Sequence, residues 1–159
     1  MKVSFEIAEI IRQKKAKYCR FVDTKQWKQF EALALPDARF IFYDVNGKVL
    51  HDFPSPEALL APTARLLDGA RSSHRVSNSE LSRISETQVE AIWAMEDYLV
   101  FPAKDGKPGT AMRGYGHYHE IWQRKEDDWF LKKLELTRQI VHSYALASDG
   151  GQGDIEASL

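Results

Sequence analysis

From Ser72 to about Ser143 the chain alternates apolar and polar side chains with the two-residue period of a β-strand. The stretch reads as four long strands, and the loop from Pro102 to Thr110, rich in Pro, Gly and Lys, joins the second to the third. So much strand must curl and bury one face. In the last strand Phe130, Leu134, Leu136 and Ile140 point one way, while Lys133, Glu135, Thr137 and Gln139 point the other. Arg138 falls on the apolar side. In the second strand Val89, Ala91, Trp93, Met95 and Leu99 share a face with Asp97, and in the first Val76 and Ile84 share the parity of His74. In the third, Tyr115, His117, His119 and Ile121 lie on one face, with Tyr118 and Trp122 on the other. Burying an unmatched charge costs on the order of several kcal/mol, so Asp97 and Arg138 are expected to pair.

Upstream, Ser4 to Arg20 carries Ile7, Ile10, Ile11 and Tyr18 at helical spacing, which predicts a helix with one buried face. Asp23-Thr24-Lys25-Gln26 reads as the cap of a second helix, whose stripe is Trp27, Phe30, Leu33 and Ala34 and whose end is marked by Pro36. Arg39 to Tyr43 is a strand by composition, and Val45 to Lys48 a turn. Ser55-Pro56-Glu57 opens a further helix with Leu59, Leu60, Leu66 and Leu67 on its apolar face. Helices ahead of four strands predict an α+β fold with the helices packed on one face of a bent sheet.

The 159 residues fit one domain, read here as residues 1–145, followed by a polar, glycine-rich tail over 146–159. Lys and Arg total 22 against 23 Asp and Glu, a balance that offers no general attraction to nucleic acid or anionic lipid. The N-terminal segment lacks the continuous apolar run of a signal peptide, and no stretch could span a bilayer, so a cytoplasmic protein is expected. The single cysteine, Cys19, cannot form an internal disulfide and reads as a packed thiol. His117 and His119 have no third ligand at convincing spacing, so no metal is expected.

Four segments carry a family resemblance: Ser73–Asn78, Ile92–Val100, Gly114–Glu120 and Leu136–Arg138. Together they resemble the SnoaL-like proteins of the nuclear transport factor 2-like superfamily, from the first helix to Val141. The resemblance implies a cone-shaped α+β barrel whose N-terminal helices close a deep pocket. The motifs are most similar to the bile acid 7α-dehydratase type, and the similarity implies catalytic roles for Tyr18, Asp23, His74, Asp97 and Arg138. Scytalone dehydratases use two pocket histidines, and Asp97 stands where the second would be.

On this reading a carboxylate orients His74 to remove a proton next to a carbonyl, and Tyr18 or Arg138 stabilises the enolate oxygen. Asp23 or Tyr18 protonates a departing hydroxyl. Asp23 is equally explained as a helix cap. Tyr43, Trp93, Met95, Tyr115, His117, His119 and Phe130 are expected to bind the substrate, a hydrophobic polycyclic or polyketide-like molecule handled without a cofactor. Two other readings stay open: an epoxide hydrolase built on Asp23, Arg138 and Asp97, and a non-catalytic ligand-binding or partner subunit. Tyr118, Trp122 and Tyr98 are expected on an outer face that joins copies of the chain into a dimer or trimer.

Overall fold

Breaks of strand register decide which side chains of this sheet turn towards the helices. The structure is a computed structural model that describes residues 2–146; the expected tail beyond them lies outside the described residues. Its elements run α1 (Phe5–Asp23), α2 (Trp27–Glu31), β1 (Ala34–Tyr43), β2 (Val49–Phe53), α3 (Pro56–Leu66), β3 (Arg71–Arg83), β4 (Gln88–Phe101), β5 (Thr110–Lys125) and β6 (Asp128–Ala145). The strands form one six-stranded sheet in the order β2-β1-β6-β5-β4-β3. The β1–β6 pair is parallel and the others are antiparallel. The sheet curves like an open cone without closing, the α+β architecture expected from the strand and helix order.

Ser4 caps α1 by accepting from the Ile7 N–H, and Ser55 does the same for α3 through Ala58. The expected box at Asp23 does not form. Asp23 is the last residue of α1, α2 begins behind Gln26 without a side-chain cap, and Gln26 donates instead to Thr24 Oγ1. The second helix is only one turn and a half, and Ala34 and Pro36, read as its stripe and its stop, already belong to β1. Leu66, assigned to the apolar face of α3, is exposed, while Leu59 and Leu67 enter the core.

A bulge at Asn78, whose φ is 48°, breaks the β3–β4 register between Ser77 and Glu80. Past it the parity reverses, so Leu81 packs against the core and Ile84 is exposed. The β5–β6 ladder shifts at Ile121/Trp122, which puts Trp129 and Leu131 into the core beside Leu134 and Leu136. A second shift falls at Tyr115/Gly116, where a Cβ on Gly116 would overlap the Thr137 carbonyl oxygen. Backbone cannot give way there as a flexible side chain could. Gly116→Ala should therefore lower stability by about 1–3 kcal/mol, the usual cost of overpacking, as read from a urea melt against the parent protein.

Candidate active site

The C-terminal end of α1 delivers a carboxylate to the start of β3. Asp23 Oδ1 lies 2.6 Å from His74 Nδ1 and accepts from the Ser72 hydroxyl at 2.8 Å, while Oδ2 accepts from the His74 backbone N–H at 2.9 Å. An ionised carboxylate on Nδ1 makes that nitrogen the donor, so a neutral ring carries its lone pair on Nε2. Burial pushes the Asp23 carboxyl up, but the His74 ring, the His74 N–H and the Ser72 hydroxyl together outweigh it and hold the group below the usual carboxylate range.

Directly opposite His74 on β4 stands Asp97, with its Oδ2 4.0 Å from Nε2. Asp97 is only 2% exposed, and its counter-charge arrives from two strands away. Arg138 on β6 donates Nη1 to Oδ1 at 2.8 Å and Nη2 to Oδ2 at 2.6 Å, a two-pronged pair that crosses over β5. It can cross only because β5 presents Gly114 opposite Asp97: a Cβ there would collide with the guanidinium and with the carboxylate. Gly114 was read as part of a motif but not as the residue that opens the passage. Burial pulls the Arg138 guanidinium down, and its hydrogen bonds and attraction to Asp97 more than restore it, holding it above its ordinary range.

Five residues named from the sequence are thus divided between the helix and the sheet, and four of them meet through these contacts. The fifth, Tyr18, lies on the buried face of α1, its ring 4.9 Å from Phe30 and 6.0 Å from Tyr118. Burial, then the negative Glu120 and the Cys19 thiol, push its phenol well above the ordinary value, so it is a neutral donor. Cys19 beside it is buried, as expected of a packed thiol. Met95 also borders the cluster, with Arg138 Nη1 3.6 Å from its sulfur.

The expected substrate wall is largely displaced. Tyr115, His117 and His119 occupy the face of β5 turned away from the helices, since the core takes the alternate residues Tyr118, Glu120 and Trp122. Tyr118 and Trp122, assigned to an exposed interface, are 3% and 0% exposed; only Tyr98 remains on the outer face. Tyr43 closes β1 with its hydroxyl on Glu135 at 3.0 Å, again away from the cluster. Phe130 is half-buried with its ring 5.0 Å from Lys14 Nζ, eight residues or roughly 25 Å of strand from Arg138. Trp93 does face inward, but its indole N–H is committed to Glu120 at 2.8 Å.

That contact belongs to a second buried polar group the sequence did not disclose. Lys15 and Glu120 are both fully buried and pair at 2.5 Å. The other Glu120 oxygen accepts from Trp93 and, at 2.9 Å, from Trp122. The Lys15 ammonium lies over two aromatic faces, 3.5 Å from the Tyr118 centroid and 4.0 Å from that of Tyr18. Lysine at a helical apolar position was the available signal, since Lys15, Tyr18 and Val22 share one face of α1. Among the described residues, no group of three or more His, Cys, Asp or Glu could hold a metal ion, and no helix is long and apolar enough to cross a membrane.

Residues 4–135 match the sequence model of the SnoaL-like domain. The chain belongs to the SnoaL-like family. A protein of Gibberella zeae named "Probable cyclase" is 34% identical over 144 residues, which covers 87% of this chain and 95% of that one. Among solved structures, a type 2 hexachlorocyclohexane dehydrochlorinase superposes with a TM-score of 0.74 at 17% identity, over 91% of this chain and 95% of the other. A Novosphingobium aromaticivorans protein titled "Putative Scytalone Dehydratase" gives 0.72 at 16% identity, over 94% and 95%. At such identities the two structures speak to the fold of this SnoaL-like chain alone.

The depressed Asp23 carboxyl has a consequence for acid stability. The folded chain binds the Asp23 proton more weakly than the unfolded chain does, so the stability it contributes is present above the ordinary range near ~3.9 and is lost as pH falls through the lower folded value. Asp23→Asn should remove that part of the acid limb. Urea melts from about pH 7 down to about pH 3 should show a shallower decline for the variant, with a remainder from Asp52 and Asp128, which Arg39 and Lys14 also hold low.

Proposed function

We propose that this SnoaL-like protein is an enzyme of the lyase or isomerase type, of the dehydratase or cyclase kind, acting by side-chain acid–base chemistry on a hydrophobic polycyclic or polyketide-like molecule. One observation carries the reading: the 2.6 Å contact between Asp23 and His74 Nδ1, which leaves Nε2 as an oriented base inside the fold. Nε2 takes a proton from a carbon next to a carbonyl, and Asp23 stabilises the imidazolium that results. The ionised Asp23 is then a poor proton source, and so is a phenol held well above its ordinary range, so a leaving hydroxyl takes the proton that His74 has gained, with Tyr18 as a neutral hydrogen-bond donor. Arg138 keeps donors beyond the two engaged by Asp97, and one of them can meet the developing enolate oxygen.

The family and the cyclase name of the Gibberella zeae relative support this class, and the fold neighbours' names describe removal of hydrogen chloride and of water. The five positions Tyr18, Asp23, His74, Asp97 and Arg138 also resemble the bile acid 7α-dehydratase pattern. An epoxide hydrolase would need Arg138 between two carboxylates, yet Arg138 bonds Asp97 and Asp23 is engaged by His74 and Ser72. The closed Asp97–Arg138 pair is what a non-catalytic subunit would also show, but such a subunit has no use for the Asp23–His74 contact.

A panel of polycyclic hydroxy-ketones in heavy water tests the reading. Mass spectrometry should show loss of water, or deuterium uptake beside the carbonyl. His74→Ala should lower that rate by about 10²–10⁴-fold with the fold intact by circular dichroism. Unchanged turnover in the folded variant would remove His74 from the mechanism.

A further inference from the structure

The mechanism leaves the buried pair of Lys15 and Glu120 without a task, and its energetics make a purely stabilising one a poor explanation. Two ions taken wholly out of water lose several kcal/mol of hydration each, on the usual order, and a well-packed apolar pair of the same volume often does as well or better. Here both ions are 0% exposed, and every strong interaction open to them is made: carboxylate to ammonium, carboxylate to two indoles, ammonium to two aromatic faces. The network is directional on every side. What direction provides, and apolar packing does not, is a single permitted position of α1 along and about its axis.

That position is the one the site requires. Asp23 lies eight residues beyond Lys15, about 12 Å along the same helix, and hangs from its last turn. A slip of one residue would carry the carboxylate about 1.5 Å along the axis and turn it by about 100°, away from His74. The other polar ties of α1 are less well placed to prevent this. Lys14 meets Asp128 at 2.7 Å and Arg12 meets Ser79 at 3.3 Å, both at the surface, where such contacts are screened and individually weak. The two indole donors come from β4 and β5, the strands that also hold Asp97 and Gly114, so the pin is fastened to the frame of the site itself.

We infer that Lys15 and Glu120 are positioning residues, a buried ionic pin that sets the register of α1 so that Asp23 meets His74. The same ammonium seats the rings of Tyr18 and Tyr118, which meet it from the helix and from β5. The inference rests on reading Asp23 and His74 as a working pair, but it concerns the geometry of that pair and not its chemistry. It can therefore fail while the proposed reaction stands, and the reverse.

The test follows the His74 Nδ1–H signal in 15N-labelled protein, displaced downfield by its bond to Asp23 and assigned by its loss in Asp23→Asn. In the double variant Lys15→Met with Glu120→Gln, which removes both charges and leaves the two indoles an acceptor, the melting temperature should stay within roughly 4 °C of the parent's, while the signal is lost or moves upfield as the contact loosens. Glu120→Gln keeps the volume and the acceptor for the indoles and withdraws only the counter-charge; it should shift the signal in the same direction in a folded protein. A folded double variant with the parent signal overturns the inference. So does a double variant that fails to fold, or a folded Glu120→Gln whose signal is unmoved, because the pair would then serve the fold and not the register.

Discussion

A carboxylate on the inward face of β4 has to be answered by a cation, and the answer given to Asp97 organises the centre of this molecule. Arg138 supplies it from β6 by reaching over β5, and the reach fixes a glycine at 114, a register shift beside Gly116 and the position of Met95 against the guanidinium. Once that pair is closed, the Asp97 side of His74 is occupied by a neutralised ion pair. The ring then takes its second partner from the opposite side, where α1 ends. The fold thus gives its two carboxylates different partners: Asp97 is matched by a permanent cation, and Asp23 by the imidazole of His74.

The parts visible in the sequence are those that alternation reports without interruption. Asp97 shares parity with an apolar set along β4, which pairs with β5 without a break, and His74 and Arg138 do so with their near neighbours Val76 and Leu136, so their convergence is legible in the sequence. Where the ladder shifts, parity misleads. Counting in twos across a bulge places Ile84, Phe130 and Ile140 inward, and breaks at Asn78, Ile121/Trp122 and Tyr115/Gly116 reverse the count, leaving Ile84 and Ile140 exposed. A bulge inserts one residue against none in the partner strand, and its position depends on both strands at once.

The third long strand failed for a different reason. Both faces of β5 carry large ring systems, His117 and His119 on one and Tyr118 and Trp122 on the other, so hydrophobicity alone does not choose between them. The choice was made by α1, whose Lys15 demands an acid across from it. Only the face bearing Glu120 supplies one. Asp23 shows the converse: a residue of perfect capping type in a perfect capping context, whose carboxylate was claimed by a strand far along the chain. Local propensity describes what a side chain could do nearby, and tertiary contacts outbid it by adding three donors where a cap offers one or two.

The end of α1 is also where the helix's aligned peptide dipoles leave their negative pole. A carboxylate at that pole is electrostatically out of place by about 0.3–1 kcal/mol in ordinary surroundings, the reverse of the acid-first, base-last order helices favour. Set against His74, the misplacement has a use in the proposed mechanism. The positive charge that His74 gains in it would face a carboxylate at the carbonyl end of a nineteen-residue helix. The backbone of α1 would then be part of the field in which that proton moves, set by the fold and not by the ligand.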